Sequence, residues 1–237
     1  MNYQAVLFDL DGTLLPMDQD QFVEYYFGYL AKKMIPHGFE PKLLMKTIWT
    51  GVAAMVVNDN SCTNEECFWK VMQKQYGDDV IEKLPVFEEF YANEFQYAQK
   101  VCGFNPYAAK IITFLKDKGV PVVLATNPIF PQIATYSRIR WAGLKPEDFE
   151  WITTYENIGL SKPNPAYYEE ILNKMGYDGQ KCLMVGNDVS EDLTAKMTGM
   201  DVYLVTDCLI NSKNQDITDY KQGSLEDFYH YLEENYE

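Results

Sequence analysis

Apolar residues along this chain follow two patterns in turn. Short unbroken runs at residues 5–8, 120–125, 183–185 and 202–205 have the length and flanking turn signals of strands buried on both faces. Between them apolar residues recur every three or four positions, as on one face of a helix. Such helices are expected from Asn105-Pro106 through Ile111, Ile112 and Leu115 to Gly119, from about Pro131 to Trp141, and through Tyr168 and Leu172. A short strand is expected near residues 151–153, and residues 202–205 are expected to form the last strand. Strand and helix in alternation predict a parallel sheet with helices on both faces.

One stretch departs from this alternation. Asp18 can cap a helix to about Lys33 that carries Phe22, Tyr25, Tyr26 and Tyr29; a second starts near Pro41 with Leu44, Ile48, Val52 and Met55 on one face. Thr63 and Glu66 have capping-box spacing and open a third helix that stops near Gly77, and a fourth follows Pro85. No convincing strand interrupts residues 16–95. The expected organisation is therefore a core of residues 1–15 and 96–237 with an all-helical segment, 16–95, inserted.

Composition narrows the class. Apolar residues make up 47% of the 237, which indicates a globular chain, and 20 basic against 35 acidic residues give a net charge of −15. That charge disfavours binding to nucleic acid or to anionic lipid. The longest mostly apolar segment, residues 47–57, is far short of the roughly 18 needed to span a bilayer, and the N-terminal apolar run breaks at Asp9, so a cytoplasmic home is expected. Five scattered cysteines are expected as thiols, and His37 and His230 as surface residues outside any mechanism. Nothing here fixes an oligomeric state.

Candidate chemistry gathers where strands end. Asp9 and Asp11, two apart on extended backbone, face the same way, and Gly12 lets the chain turn. Thr126 and Asn127 follow a second strand; Asp188, Glu191 and Asp192 follow a third. Each set alone reads as ordinary strand-end capping, but in a doubly wound sheet such ends converge on one crevice.

The four motifs in order, Asp9-Leu10-Asp11-Gly12-Thr13, Thr126-Asn127, Ser161-Lys162-Pro163-Asn164-Pro165 and Val185-Gly186-Asn187-Asp188-Val189-Ser190-Glu191-Asp192, resemble those of the haloacid dehalogenase-like hydrolase superfamily, in its phosphatase branch. The resemblance implies a Rossmann-like doubly wound α/β core, a helical cap inserted between the first and second motifs, and a Mg²⁺ cofactor. It implies Asp9 as nucleophile, Asp11 as acid and base, and Thr126 and Lys162 as contacts to the phosphoryl oxygens, to which Asn127 offers its amide as a further donor. This fits the chemistry of transfer through an aspartyl phosphate: a carboxylate attacks phosphorus when a cation offsets the repulsion of two anions.

The fourth motif departs from the family's usual Gly-Asp. Here Gly186-Asn187-Asp188 leaves either residue for the metal position, and an anionic ligand favours Asp188, giving Asp9, Asp11 and Asp188 as ligands and Asp192 as a second-sphere group. The expected function is a Mg²⁺-dependent phosphatase acting on a small phosphorylated metabolite, with a mobile cap selecting the substrate. A phosphomutase is the nearest alternative, and a catalytically silent binding protein on the same fold is a second. A dehalogenase is disfavoured by Asp11.

Overall fold

The protein's structure, a computed structural model, describes residues 3–236. Six strands form one sheet: β1 (Ala5–Phe8), β2 (Val122–Leu124), β3 (Trp151–Ile152), β4 (Cys182–Gly186), β5 (Asp201–Val205) and β6 (Lys221–Gly223), in the order β3-β2-β1-β4-β5-β6 with every neighbouring pair parallel. Successive side chains of β1 serve opposite cores. Val6 and Phe8 join one apolar cluster, whereas Ala5 and Leu7 join the other. Helices α5 (Pro106–Asp117) and α8 (Leu225–Asn235) supply Ile111 and Phe228 to the first, and α7 (Pro165–Met175) supplies Tyr167 and Tyr168 to the second. This is a doubly wound α/β fold. The strand order runs outward in both directions from the neighbours β1 and β4, which puts the ligand crevice beyond their C-terminal ends.

Residues 202–205 are not the last strand. β6 adds to β5, and its sequence, Lys-Gln-Gly, has no apolar residue to announce it. It is an edge strand, which needs ladder hydrogen bonds but little buried side chain.

Between β1 and α5 lie four helices, α1 (Gln19–Met34), α2 (Pro41–Val56), α3 (Asn64–Tyr76) and α4 (Leu84–Ala92), followed by 3-10 turns at Glu94–Val101. Their starts are chemically marked: Asp18 accepts from the backbone N–H of Gln21, Pro41 follows the capping Glu40, and Thr63 and Glu66 form a reciprocal capping box. None of these elements contributes a strand to the sheet. The 3-10 run packs on α1 and α4, and Phe95 within it meets Phe22 and Phe90 edge to face.

The loop before α3 is joined to the core. Backbone N–H groups of Asn60, Asn64 and Glu65 donate to the carbonyls of Gly159, Ile158 and Tyr155, and the N–H of Gly159 donates to Asn60 Oδ1. Asn64 is fully buried and acts as the main tie: Nδ2 donates to Pro128 O (3.1 Å), Leu160 O (3.3 Å) and Ser161 Oγ (3.0 Å), while Oδ1 accepts from Asn58. All five cysteines are free, and no helix among the described residues is long and apolar enough to cross a membrane.

Candidate active site

The crevice is built from the strand ends outward. The β1–β4 ladder extends one residue further through the N–H of Asp9, which donates to Val185 O at 2.9 Å. The chain then turns back at Gly12, whose φ of +86° suits glycine. A Cβ at Gly12 would collide with Nδ2 of Asn187, so glycine is needed there for space as well. Thr13 hydroxyl donates to Asn187 Oδ1 (3.0 Å) and lies 3.4 Å from Asp9 Oδ2.

Lys162 joins the first and fourth motifs. It is completely buried on the loop before α7, and its Nζ donates to Asp9 Oδ1 at 2.9 Å and to Asp192 Oδ1 at 2.7 Å. Asp192 in turn takes the N–H of Asp188 on Oδ2 at 2.9 Å. It also lies against Gly186, where any Cβ would strike its carboxylate. Burial by itself would discharge the lysine, but the two carboxylates around it hold its pKa well above the ordinary value. Asp9 moves the other way. Burial, opposed by Lys162 but reinforced by Asp192 and Asp11, pushes its pKa up to about 7.

Asp11 is held by a residue that sequence reasoning missed. Arg138, on α6 (Gln132–Trp141), is buried, lies 4.5 Å above the Phe130 ring and forms an ion pair with Asp11 Oδ2. The other oxygen of Asp11, Oδ1, is buried without a partner. Burial raises the Asp11 pKa while Arg138 and Lys162 oppose the rise.

Thr126 and Asn127 follow β2, as expected, on the same cavity as Asp9 and Asp11. Asn127 donates from Nδ2 to Glu191 Oε1 at 3.0 Å, and its Oδ1 has no partner. Glu191 is pushed up to about 7, chiefly by burial. The two candidates in the fourth motif differ in how far they are committed. Both line the cavity, but both polar atoms of Asn187 are used, Oδ1 by Thr13 and Nδ2 by Cys208 O at 2.7 Å, whereas Asp188 uses Oδ1 to accept the N–H groups of Ser190 and Glu191. The fourth motif runs into 3-10 turns, Asp192–Thr198. Asp192 is more than a helix-start residue, because its carboxylate bridges Lys162 and the Asp188 backbone.

Seven sequence candidates, Asp9, Asp11, Thr126, Asn127, Lys162, Asp188 and Asp192, thus come together at one end of the sheet. The donor set fits Mg²⁺. Five carboxylates (Asp9, Asp11, Asp188, Glu191 and Asp192) surround two buried cations, and Asp11 Oδ1 is an orphaned anionic oxygen beside the cavity. Among the described residues no three acidic, histidine or cysteine side chains close around a point. Mg²⁺ does not require that, since it usually takes one or two carboxylates and completes its shell with water and phosphate oxygens.

Comparison with known proteins identifies the framework. A family model described as haloacid dehalogenase-like hydrolase matches residues 3–196. The chain belongs to that family. Among curated relatives it is 24% identical over 202 residues to the pyrophosphatase PpaX of Bacillus pumilus, covering 82% of this chain and 79% of that one. It is 25% identical over 202 residues to a phosphoglycolate phosphatase of Neisseria gonorrhoeae, covering 83% and 77%. The crystal structure of a hydrolase from Pseudomonas syringae superposes with a TM-score of 0.57 at 17% identity, over 98% of this chain and 99% of that one.

Proposed function

We propose that this hydrolase is a phosphatase that removes phosphate from a small phosphorylated metabolite through a phosphoryl group carried on Asp9. The observation that carries this reading is the pairing of Asp9 Oδ1 with the buried Lys162 ammonium, which fixes a nearly buried carboxylate at the cavity floor two residues from a second acid. A carboxylate held in one orientation has given up its rotational freedom before the substrate arrives.

An oxygen of Asp9 attacks phosphorus, the bond from phosphorus to the ester oxygen breaks, and Asp11 supplies a proton to the departing alkoxide. In the second half Asp11 takes a proton from water, the water oxygen attacks the phosphorus of the aspartyl phosphate, and the phosphorus–Asp9 bond breaks to release inorganic phosphate. Thr126 and Asn127 donate hydrogen bonds toward the oxygens on which charge grows, and Lys162, held against Asp9, supplies positive charge beneath them. Asp9, Asp11 and Asp188 would hold Mg²⁺, which when bound offsets the repulsion between the nucleophile and the phosphate dianion. Asp192 keeps Lys162 charged and in place.

The helical segment 16–95 serves as the cap over this crevice, extended by the 3-10 turns to Val101. Its tie through Asn64 to Leu160 and Ser161, beside Lys162, favours local gating over a free swing of the whole segment.

Hydrolysis of p-nitrophenyl phosphate, with and without chelation of divalent ions, tests the proposal. Release of phosphate that stops on chelation and returns with Mg²⁺ is expected. Absence of turnover at saturating substrate and Mg²⁺ would contradict it.

A further inference from the structure

The cavity above the acids has a volume of about 270 Å³, and its wall is unlike its floor. The floor is acidic. The wall comes mainly from the helical segment and is aromatic, with Phe22, Phe27, Trp49, Phe68, Trp69 and Tyr155 among its side chains. No lysine, arginine or histidine lines it. Arg138 is shielded behind Phe130 and committed to Asp11, and Lys162 is buried beneath Asp9.

The rings hold one another at fixed angles. Phe27 and Trp49 lie 5.6 Å apart, Phe68 meets Trp69 at 5.7 Å and 88°, and Phe68 reaches Tyr155 at 6.5 Å. Tyr155 belongs to the core loop that accepts from Glu65, so the hydrogen bonds before α3 lock the two sides of the wall together. Trp49 is 46% exposed although it lines the cavity, which puts it at the mouth.

We infer that the alcohol released from the substrate is uncharged and carries a flat apolar ring, so that the substrates are small phosphate monoesters of aryl or arylalkyl alcohols. This rests on the phosphatase reading above. Aromatic faces give a flat ring dispersion contact and an apolar surface to replace water. A leaving group with a carboxylate or a second phosphate would lose its hydration against the rings and meet no cationic side chain on the wall. The volume suits one small ring system beside the phosphate and is below the usual range for larger ligands.

The test compares benzyl phosphate with phosphoglycolate and pyrophosphate on the unmodified protein. Benzyl phosphate and phosphoglycolate both leave as primary alkoxides, so their ratio of kcat/KM reports the wall rather than the leaving group. Binding is read independently from the intrinsic tryptophan fluorescence, to which Trp49 and Trp69 in the cavity wall contribute, with the non-hydrolysable benzylphosphonate and phosphonoacetate. The expected result is a preference for the benzyl compound of at least about tenfold in both measurements, the worth of burying one ring. Equal or tighter handling of phosphoglycolate or phosphonoacetate would overturn the inference while leaving the phosphatase reading in place. Tighter binding of benzylphosphonate without hydrolysis of any ester would contradict the phosphatase reading and uphold the wall's ligand preference.

Discussion

Arg138 and Asp11, 127 residues apart in sequence, form an ion pair in which the arginine is buried and the aspartate keeps one oxygen unpaired beside the cavity. The pair orients Asp11: with Oδ2 engaged by the guanidinium, Oδ1 is the oxygen that the proposed acid and base role would use. Phe130 under the guanidinium holds the arginine plane in place.

Arg138→Met should therefore lower kcat/KM for p-nitrophenyl phosphate by about 10- to 100-fold, the scale of misplacing a catalytic group. Arg138→Lys keeps the charge but not the planar fork, and should recover only part of the loss. Steady-state kinetics of the two variants, with circular dichroism to verify folding, checks this. Wild-type activity in Arg138→Met would show that Asp11 needs no such partner.

Asn64 supports a second prediction. Truncating it removes a buried donor from the carbonyls of Pro128 and Leu160, and leaves the Ser161 hydroxyl and the Asn58 amide with only the carbonyls of Met55 and Cys62. Asn64→Ala should cost on the order of 3 kcal/mol in urea unfolding and raise hydrogen exchange at residues 155–161. A loss under about 1 kcal/mol would mean that the loop before α3 is not a structural tie.

Much of this architecture could be read from the residues. The buried strands are continuous apolar runs, and the helices begin at Asp18, Thr63 and Asn105, whose side chains do bond the backbone of the first turn. Three of the four motifs are visible because each stands at a strand end, and the third, around Lys162, because two prolines mark its loop. β6 was hidden because an edge strand needs no apolar pattern, and the 3-10 turns at Glu94–Val101 and Asp192–Thr198 because their spacing differs little from that of a helix. Arg138 and Asn64 were hidden for a common reason. A charged or amide side chain in a helix reads as solvated, and only the tertiary structure brings partners 127 and 97 residues away within reach. The role of Asp192 was legible only in outline, since its position after Asp188 gave no sign that Lys162 would lie against it.

The fourth motif yields a third prediction. Both residues line the cavity, but Asn187 is tied through both polar atoms to Thr13 and Cys208, whereas Asp188 is anionic. Asp188→Ala should raise the Mg²⁺ concentration for half-maximal activity by about tenfold or more. Asn187→Ala should act mainly on the Gly12 turn, lowering stability by about 1–2 kcal/mol with a smaller change in metal dependence. Activity titrated against Mg²⁺ for both variants decides between them, and a larger shift for Asn187→Ala would move the ligand to position 187.

In the proposed mechanism Asp9 carries the phosphoryl group. Its most direct test is to mix the enzyme with p-nitrophenyl phosphate, quench in acid within the first turnovers and map the phosphorylated peptide by mass spectrometry. Asp11→Asn should be included, because it should slow hydrolysis of the intermediate and so raise its yield. The phosphoryl group is expected on Asp9, in the peptide that contains residues 5–15, and absent from Asp9→Asn, which should retain the wild-type fold but not turn over. Phosphoryl transfer to any other residue, or turnover by Asp9→Asn at the wild-type rate, would contradict the account.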